Sequence, residues 1–115
     1  MLKLSEEIKS QLIEFLSKAQ QLKVSRLWIS DEKMKVYIRK SVRNYNEDMK
    51  EFLDIATIEV ERQYRFQGLT KQFLQFCRAN SPYPVRVENC CNPHLQTHLQ
   101  TQGWIQVDFD YYAPD

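Results

Sequence analysis

Hydrophobic positions return along this chain with two different periods, and the switches between them mark out its elements. From Ser5 onward, Ile8, Leu12, Phe15, Leu16, Ala19 and Leu22 recur at helical spacing. Ser5 is placed to cap that helix, and Glu6 and Glu7 suit its positive end. The stripe predicts a helix that buries one face in a core. Leu27-Trp28-Ile29 and Met34 to Arg39 then predict two strands joined by the polar turn Ser30-Asp31-Glu32-Lys33. Within the second, Met34, Val36 and Ile38 alternate with Lys35, Tyr37 and Arg39, a period of two that buries one face and wets the other. Ser41 to Glu51 is polar and irregular. It reads as a solvated loop with a helical turn at Glu47 to Glu51.

The second half is more sharply punctuated. Leu53 to Glu61 reads as a strand, Gln63 to Gln67 as a connection, and Gly68 to Asn80 as a helix with Leu69, Phe73, Leu74, Phe76 and Cys77 inward. Ser81-Pro82-Tyr83-Pro84 ends that helix, because proline and the residue before it both resist helical geometry. Val85 to Asn89 predicts another strand. Asn92 and Pro93 open a helix with a capping side chain and a proline at its first position; Leu95 and Leu99 form its stripe, and Gly103 stops it. Trp104 to Tyr111 reads as one last strand. The alternation of strands and helices predicts an α/β protein, residues 1–115 forming a single domain.

Composition narrows the function classes. With 43% hydrophobic and 27% charged residues over 115 positions, the chain can build one core without staples. A net charge of +1, with acids and bases interspersed, lacks the basic excess of a dedicated nucleic-acid binder, and no nucleic-acid partner is expected. No apolar run approaches the roughly 18 residues needed to span a bilayer. The first residues carry no apolar signal region, so a cytoplasmic location is expected. Cys77, Cys90 and Cys91 do not make a disulfide framework. His94 and His98 share a helix face but lack the glutamate of a zinc-protease motif, and no metal site is expected.

The segment Ile58-Glu59-Val60-Glu61-Arg62-Gln63-Tyr64-Arg65-Phe66-Gln67-Gly68-Leu69-Thr70 carries the candidate chemistry. A strand, a short connection with one glycine and then a helix leave the first helical amides unpaired at the positive end of the dipole, a geometry suited to a diphosphate. Gly68 would let backbone approach the phosphates, and Arg65 could add a charged contact. A plain structural turn accounts for the same pattern. The lysine of a Walker loop and the further glycines of a dinucleotide fingerprint are both missing.

This segment resembles the acetyl-CoA motif of the GNAT superfamily of N-acetyltransferases, in which a strand leads to Arg-x-x-Gly-x-Gly/Ala at a helix start. Arg65-Phe66-Gln67-Gly68-Leu69-Thr70 fills it, with Thr70 in the last place. Val87-Glu88-Asn89-Cys90-Cys91-Asn92-Pro93, followed by Gly103-Trp104, is similar to the family's next strand and helix. The resemblance runs from about Leu53 onward.

It implies a mixed, largely antiparallel sheet flanked by helices, with a parallel strand pair splayed around acetyl-CoA. It implies that Ile58, Glu59, Val60, Arg65, Phe66, Gln67, Gly68, Leu69, Thr70 and Asn92 bind that co-substrate. The reaction implied is acetyl transfer to an amine by direct attack, on an unknown acceptor that is a small molecule or a protein. Glu59 is the candidate general base, with Glu88 and His94 behind it. The family's proton-donating Tyr falls at Leu99, so Tyr111 is the candidate acid, with Tyr112 and His98 as further candidates. That loss keeps a non-catalytic acyl-CoA-binding or interaction module as the alternative. The family's first strand is missing, and the edge so exposed would allow two copies to pair as a homodimer.

Overall fold

The computed structural model describes residues 2–21 and 25–114; the expected helical position Leu22 lies outside them. The first element is helix α1, Glu6–Ala19, and the Ser5 side chain accepts from the Ile8 amide as its cap. Such a cap stabilises by about 1 kcal/mol. Strands β1 (Ser25–Ser30), β2 (Met34–Tyr45) and β3 (Asp48–Val60) follow, then a 3-10 turn at Arg62–Tyr64 and helix α2, Leu69–Asn80. The chain closes with β4 (Val85–Val87), α3 (Pro93–Thr101), β5 (Ile105–Val107) and β6 (Asp110–Tyr112). Among the described residues six strands form one sheet, in the order β1-β2-β3-β4-β6-β5. β3 and β4 run parallel, and the other neighbouring pairs run antiparallel. The α/β class and the mixed, largely antiparallel sheet expected from the sequence are both present.

The sheet has two unlike faces. Ile29, Val36, Ile38, Leu53, Ile55, Val85 and Val87 join one apolar cluster with Ile8, Leu12 and Phe15 of α1, Phe73 and Cys77 of α2, and Leu99 of α3. On the opposite face Asp54, fully buried, accepts from Arg39 Nε at 3.1 Å, Arg43 NH2 at 3.1 Å and Ser41 Oγ at 2.6 Å. Arg86 lies 3.2 Å from Asp54 and donates to Asp110 at 2.7 Å. Glu88 accepts from Arg39 and lies 3.6 Å from Arg43. Burial pulls the Arg39 guanidinium down, but Asp54 and Glu88 outweigh it and hold the group protonated.

Three expectations fail here. Ser41 to Glu51 is no loop and carries no helical turn: β2 and β3 continue through it as the outer half of a long hairpin. Its two-residue turn is Asn46-Glu47, both at positive φ (52° and 69°), as a primed hairpin turn requires. This arm projects past the helices, so Val42 and Met49 stay exposed and no apolar alternation marks it. The stretch Trp104 to Tyr111 is also not one strand. It folds as the β5–β6 hairpin, turning at Asp108 (φ 55°) and Phe109. β4 ends at Val87 rather than Asn89, because Asn89 adopts a left-handed conformation (φ 48°) that turns the chain away.

Two stability effects should follow. Asp54→Ala leaves the Arg39, Arg43 and Arg86 guanidiniums clustered in a largely buried place without their shared carboxylate; it should lower unfolding free energy by about 3–5 kcal/mol in a urea titration. Asp31 accepts from the Lys33 and Met34 amides and from Ser5 Oγ, tying the β1–β2 turn to α1. Burial raises its pKa, but the Ser5 hydroxyl and the two amides prevail and leave it depressed. A depressed carboxylate contributes stability above its ordinary pKa and loses it as pH falls through the folded value. Asp31→Ala should therefore cost about 1–3 kcal/mol at neutral pH, and the gap to the parent should narrow below about pH 4.

Candidate cofactor site

The site begins where β3 parts from β4. Their ladder has its last rung at Ile55–Val87, closed by the Glu88 amide donating to the Ile55 carbonyl at 3.0 Å. Beyond it the partners diverge for local reasons on each side. On β3, Ile38 pairs with Ile55 but Tyr37 pairs with Thr57, so Ala56 is an extra residue. Such a bulge bends its strand. On the other side Asn89 turns away in its left-handed conformation, held by its amide donating to Asp110 Oδ1 at 2.8 Å. The edge of β3 from Ala56 to Val60 therefore faces a cleft instead of a strand.

That cleft encloses about 800 Å³, within the range of small-molecule sites. Its walls are the β3 edge, the loop from Tyr64 to Phe66 with the start of α2, and the segment from Val87 to Leu95. The N-terminus of α2 opens into it. Gly68 precedes that helix at φ 87°, and no side chain caps it. A left-handed backbone without a Cβ suits this corner, and the uncapped end presents first-turn amides. Lys71 adds a cation in the same turn. The N-terminus of α3 also reaches the cleft, but its amides are occupied: Asn92 Oδ1 accepts from the His94 and Leu95 amides at 3.0 and 3.2 Å.

Most residues singled out from the sequence meet here. Ile58, Glu59, Val60, Arg65, Phe66, Gly68, Leu69, Thr70 and Asn92 all line the cleft. Arg65 turns its Nε to the Val60 carbonyl at 2.9 Å, tying the loop to the end of β3. Gln67 is not a wall residue; its amide donates to the Gln63 carbonyl at 3.2 Å, across the loop. Glu59 is paired with Lys35 at 3.3 Å, both about half exposed, on the rim. Glu88 and His94 line the cleft, and Glu88 is gripped by arginine.

Tyr111 does not reach the cleft. It is fully buried, and its hydroxyl accepts from Gln100 Nε2 at 3.1 Å. The β5–β6 hairpin turn, absent from the sequence reading, decides which face Tyr111 occupies. Tyr112 stacks on Tyr45 at 4.4 Å. His98 is held below its ordinary pKa by burial and by Lys71, and Leu99 is fully buried. Cys90 and Cys91 line the cleft, Cys91 exposed, while burial pushes the Cys77 thiol up. Among the described residues no group of three or more His, Cys, Asp or Glu side chains gathers as a metal site.

The sequence reading passed over Ala56 and Lys71 and gave Tyr64 and Asn89 no role in the site. Asparagine's tolerance of left-handed backbone was a signal for Asn89; nothing local marks Ala56 as a bulge.

No protein-family model and no curated protein sequence matches this chain. Solved structures do. AtaT complexed with acetyl-methionyl-tRNAfMet superposes with a TM-score of 0.56 at 9% identity, over 97% of this chain and 84% of that one. A tyrosine-to-phenylalanine mutant of the AtaT toxin, bound to the C-terminus of the antitoxin AtaR and acetyl-CoA, gives 0.54 at 12% identity, over 84% and 70%. A KacTA–DNA complex gives 0.53 at 13% identity, over 97% and 82%. With its mixed six-stranded sheet and these superpositions, the chain has a GNAT-like α/β fold.

Proposed function

We propose that residues 1–115 form one GNAT-like domain that transfers an acetyl group from acetyl-CoA to an amine by direct attack, in the cytoplasm. The observation that carries this is the fork itself: a β3 edge left without a strand partner from Ala56 to Val60, beside an uncapped α2 N-terminus entered through Gly68. An extended amide-bearing arm can replace the missing strand, and a diphosphate can fill the uncapped helix end. The cleft's volume and these donor sets fit acetyl-CoA, which supplies an activated acetyl group. The amides from Gly68 to Thr70 and the Lys71 cation would hold its phosphates. Asn92 is committed to its cap and would contribute mainly by fixing α3.

Backbone groups of Ile58 to Val60 would orient the thioester and polarise its carbonyl as negative charge develops there. Holding donor and acceptor in line supplies much of the acceleration. An attacking amine must lose a proton near neutral pH. Glu59 on the rim is the proposed base, and Lys35 keeps its side chain in place. Tyr64 is the cleft-lining proton donor that takes the place of buried Tyr111. AtaT was solved with an acylated tRNA. An amine carried on RNA therefore belongs among the acceptors to be assayed, beside peptides and small amines, and the expectation of no nucleic-acid partner gives way to that test. Among the described residues no helix is long and apolar enough to cross a membrane.

The alternative, an acyl-CoA-binding module without turnover, rests on Leu99 and Tyr111 both lying buried. Free CoA released with pooled amines and aminoacyl-tRNA would eliminate it.

Acetyl-CoA should raise the melting temperature of the parent and bind measurably by calorimetry. Gly68→Glu, which adds a carboxylate at the helix end, should abolish both effects while the ligand-free protein stays folded by circular dichroism. Under native conditions a thiol alkylator should label Cys91 and spare buried Cys77, and saturating acetyl-CoA should slow labelling of Cys91 several-fold by mass spectrometry. Binding that survives Gly68→Glu would remove the phosphate assignment.

A further inference from the structure

One pair of rings beside the cleft is left without a task. Phe66 is 83% exposed, far more than a large apolar side chain gains from, and it sits at φ 62°. A bulky residue in left-handed backbone is a strained outlier, and such strain persists where the surroundings hold it. Its ring meets His94 of α3 at 5.2 Å, edge to face at 76°. Both residues line the cleft, one from the β3–α2 loop and one from the first turn of α3. The contact therefore spans the two walls that diverge from the fork.

Position along the cleft decides which part of a ligand these rings would meet. At the vertex, beside Ile55 and Glu88, the strands have only just separated, and that end admits a slim chain. The ring pair stands where the loop before α2 meets the first turn of α3, at a place on the cleft wall beyond the ladder. Phe66 is two residues before Gly68, next to the uncapped helix end. What lies beyond a diphosphate held at that end is a nucleoside. An edge-on partner keeps the Phe66 ring upright and leaves a face of it open to solvent, the surface a planar base can stack on.

We propose that Phe66, braced by His94, forms a stacking subsite for the nucleobase of acetyl-CoA. The proposal rests on the acetyl-CoA reading above and deepens it: affinity would come from the nucleoside as well as from the thioester arm. Base–aromatic stacking is sequence-tolerant, so other purine-bearing acyl thioesters would use the same ring.

The test compares two probes on the full chain by calorimetry: acetyl-CoA, and S-acetyl-phosphopantetheine, which keeps the thioester arm and one phosphate but lacks the nucleoside. Phe66→Ala should weaken acetyl-CoA about tenfold, the scale of one base–aromatic stack, and leave the truncated probe unchanged. Phe66→Tyr should restore the parent value. His94→Ala should give a smaller loss, again confined to acetyl-CoA. An equal loss for both probes in Phe66→Ala would overturn the subsite, because the ring would then only close over the arm. No loss for either probe would also overturn it. If the parent binds neither probe, the acetyl-CoA reading itself falls, a result distinct from both.

Discussion

A strand cannot both pair with its neighbour and leave it, yet β3 does each within two residues. Up to Ile55 it is zipped to β4; from Ala56 it is not. Two opposed sets of forces meet at that point. On the helix-covered face, Leu53, Ile55, Val85 and Val87 are buried in the apolar cluster. On the other face Asp54 is locked among Ser41, Arg39, Arg43 and Arg86. A slip of one residue would send Asp54 into the apolar layer and bring Leu53 and Ile55 among the arginines. Buried ion clusters add little net stability over an apolar core. Here the cluster's worth is register: it specifies where pairing ends, and so where the cleft begins.

Everything around the cleft is arranged from that vertex. The bulge at Ala56 and the left-handed Asn89 carry the walls apart, and the uncapped α2 end and the β3 edge are left facing one space. The Asp110 carboxylate links both sides of this arrangement, since it accepts from Arg86 and from the Asn89 amide. Hence the ion cluster and the cleft wall are mechanically one structure. A cleft held open in this way needs little reorganisation to receive an extended ligand, which lowers the ordering cost of binding.

The helices and their ends were legible because their determinants are local. Ser5, Asn92 with Pro93, and the paired prolines Pro82 and Pro84 all act within a few residues of themselves. The outer arm of the β2–β3 hairpin was illegible for the opposite reason. It lies beyond the helices, so neither face is buried in the core, and its alternation is written in polar side chains such as Arg43, Asn44 and Lys50. The β5–β6 turn at Asp108 and Phe109 lacks glycine and left no mark either.

The sequence by itself determined the sequence of helices, their caps, the glycine at the head of α2 and the loop from Tyr64 to Thr70 that resembles an acetyl-CoA motif. Each depends on side chains close along the chain, where period and residue type carry the information. Only the tertiary structure decided that β3 and β4 part after Ile55, that Tyr111 faces the core while Tyr64 faces the cleft, and that Phe66 meets His94. Those outcomes turn on strand register, on a single inserted residue and on which face a hairpin turn leaves exposed. A one-residue change in any of them reverses the direction of every following side chain, and no local preference in the chain encodes that choice.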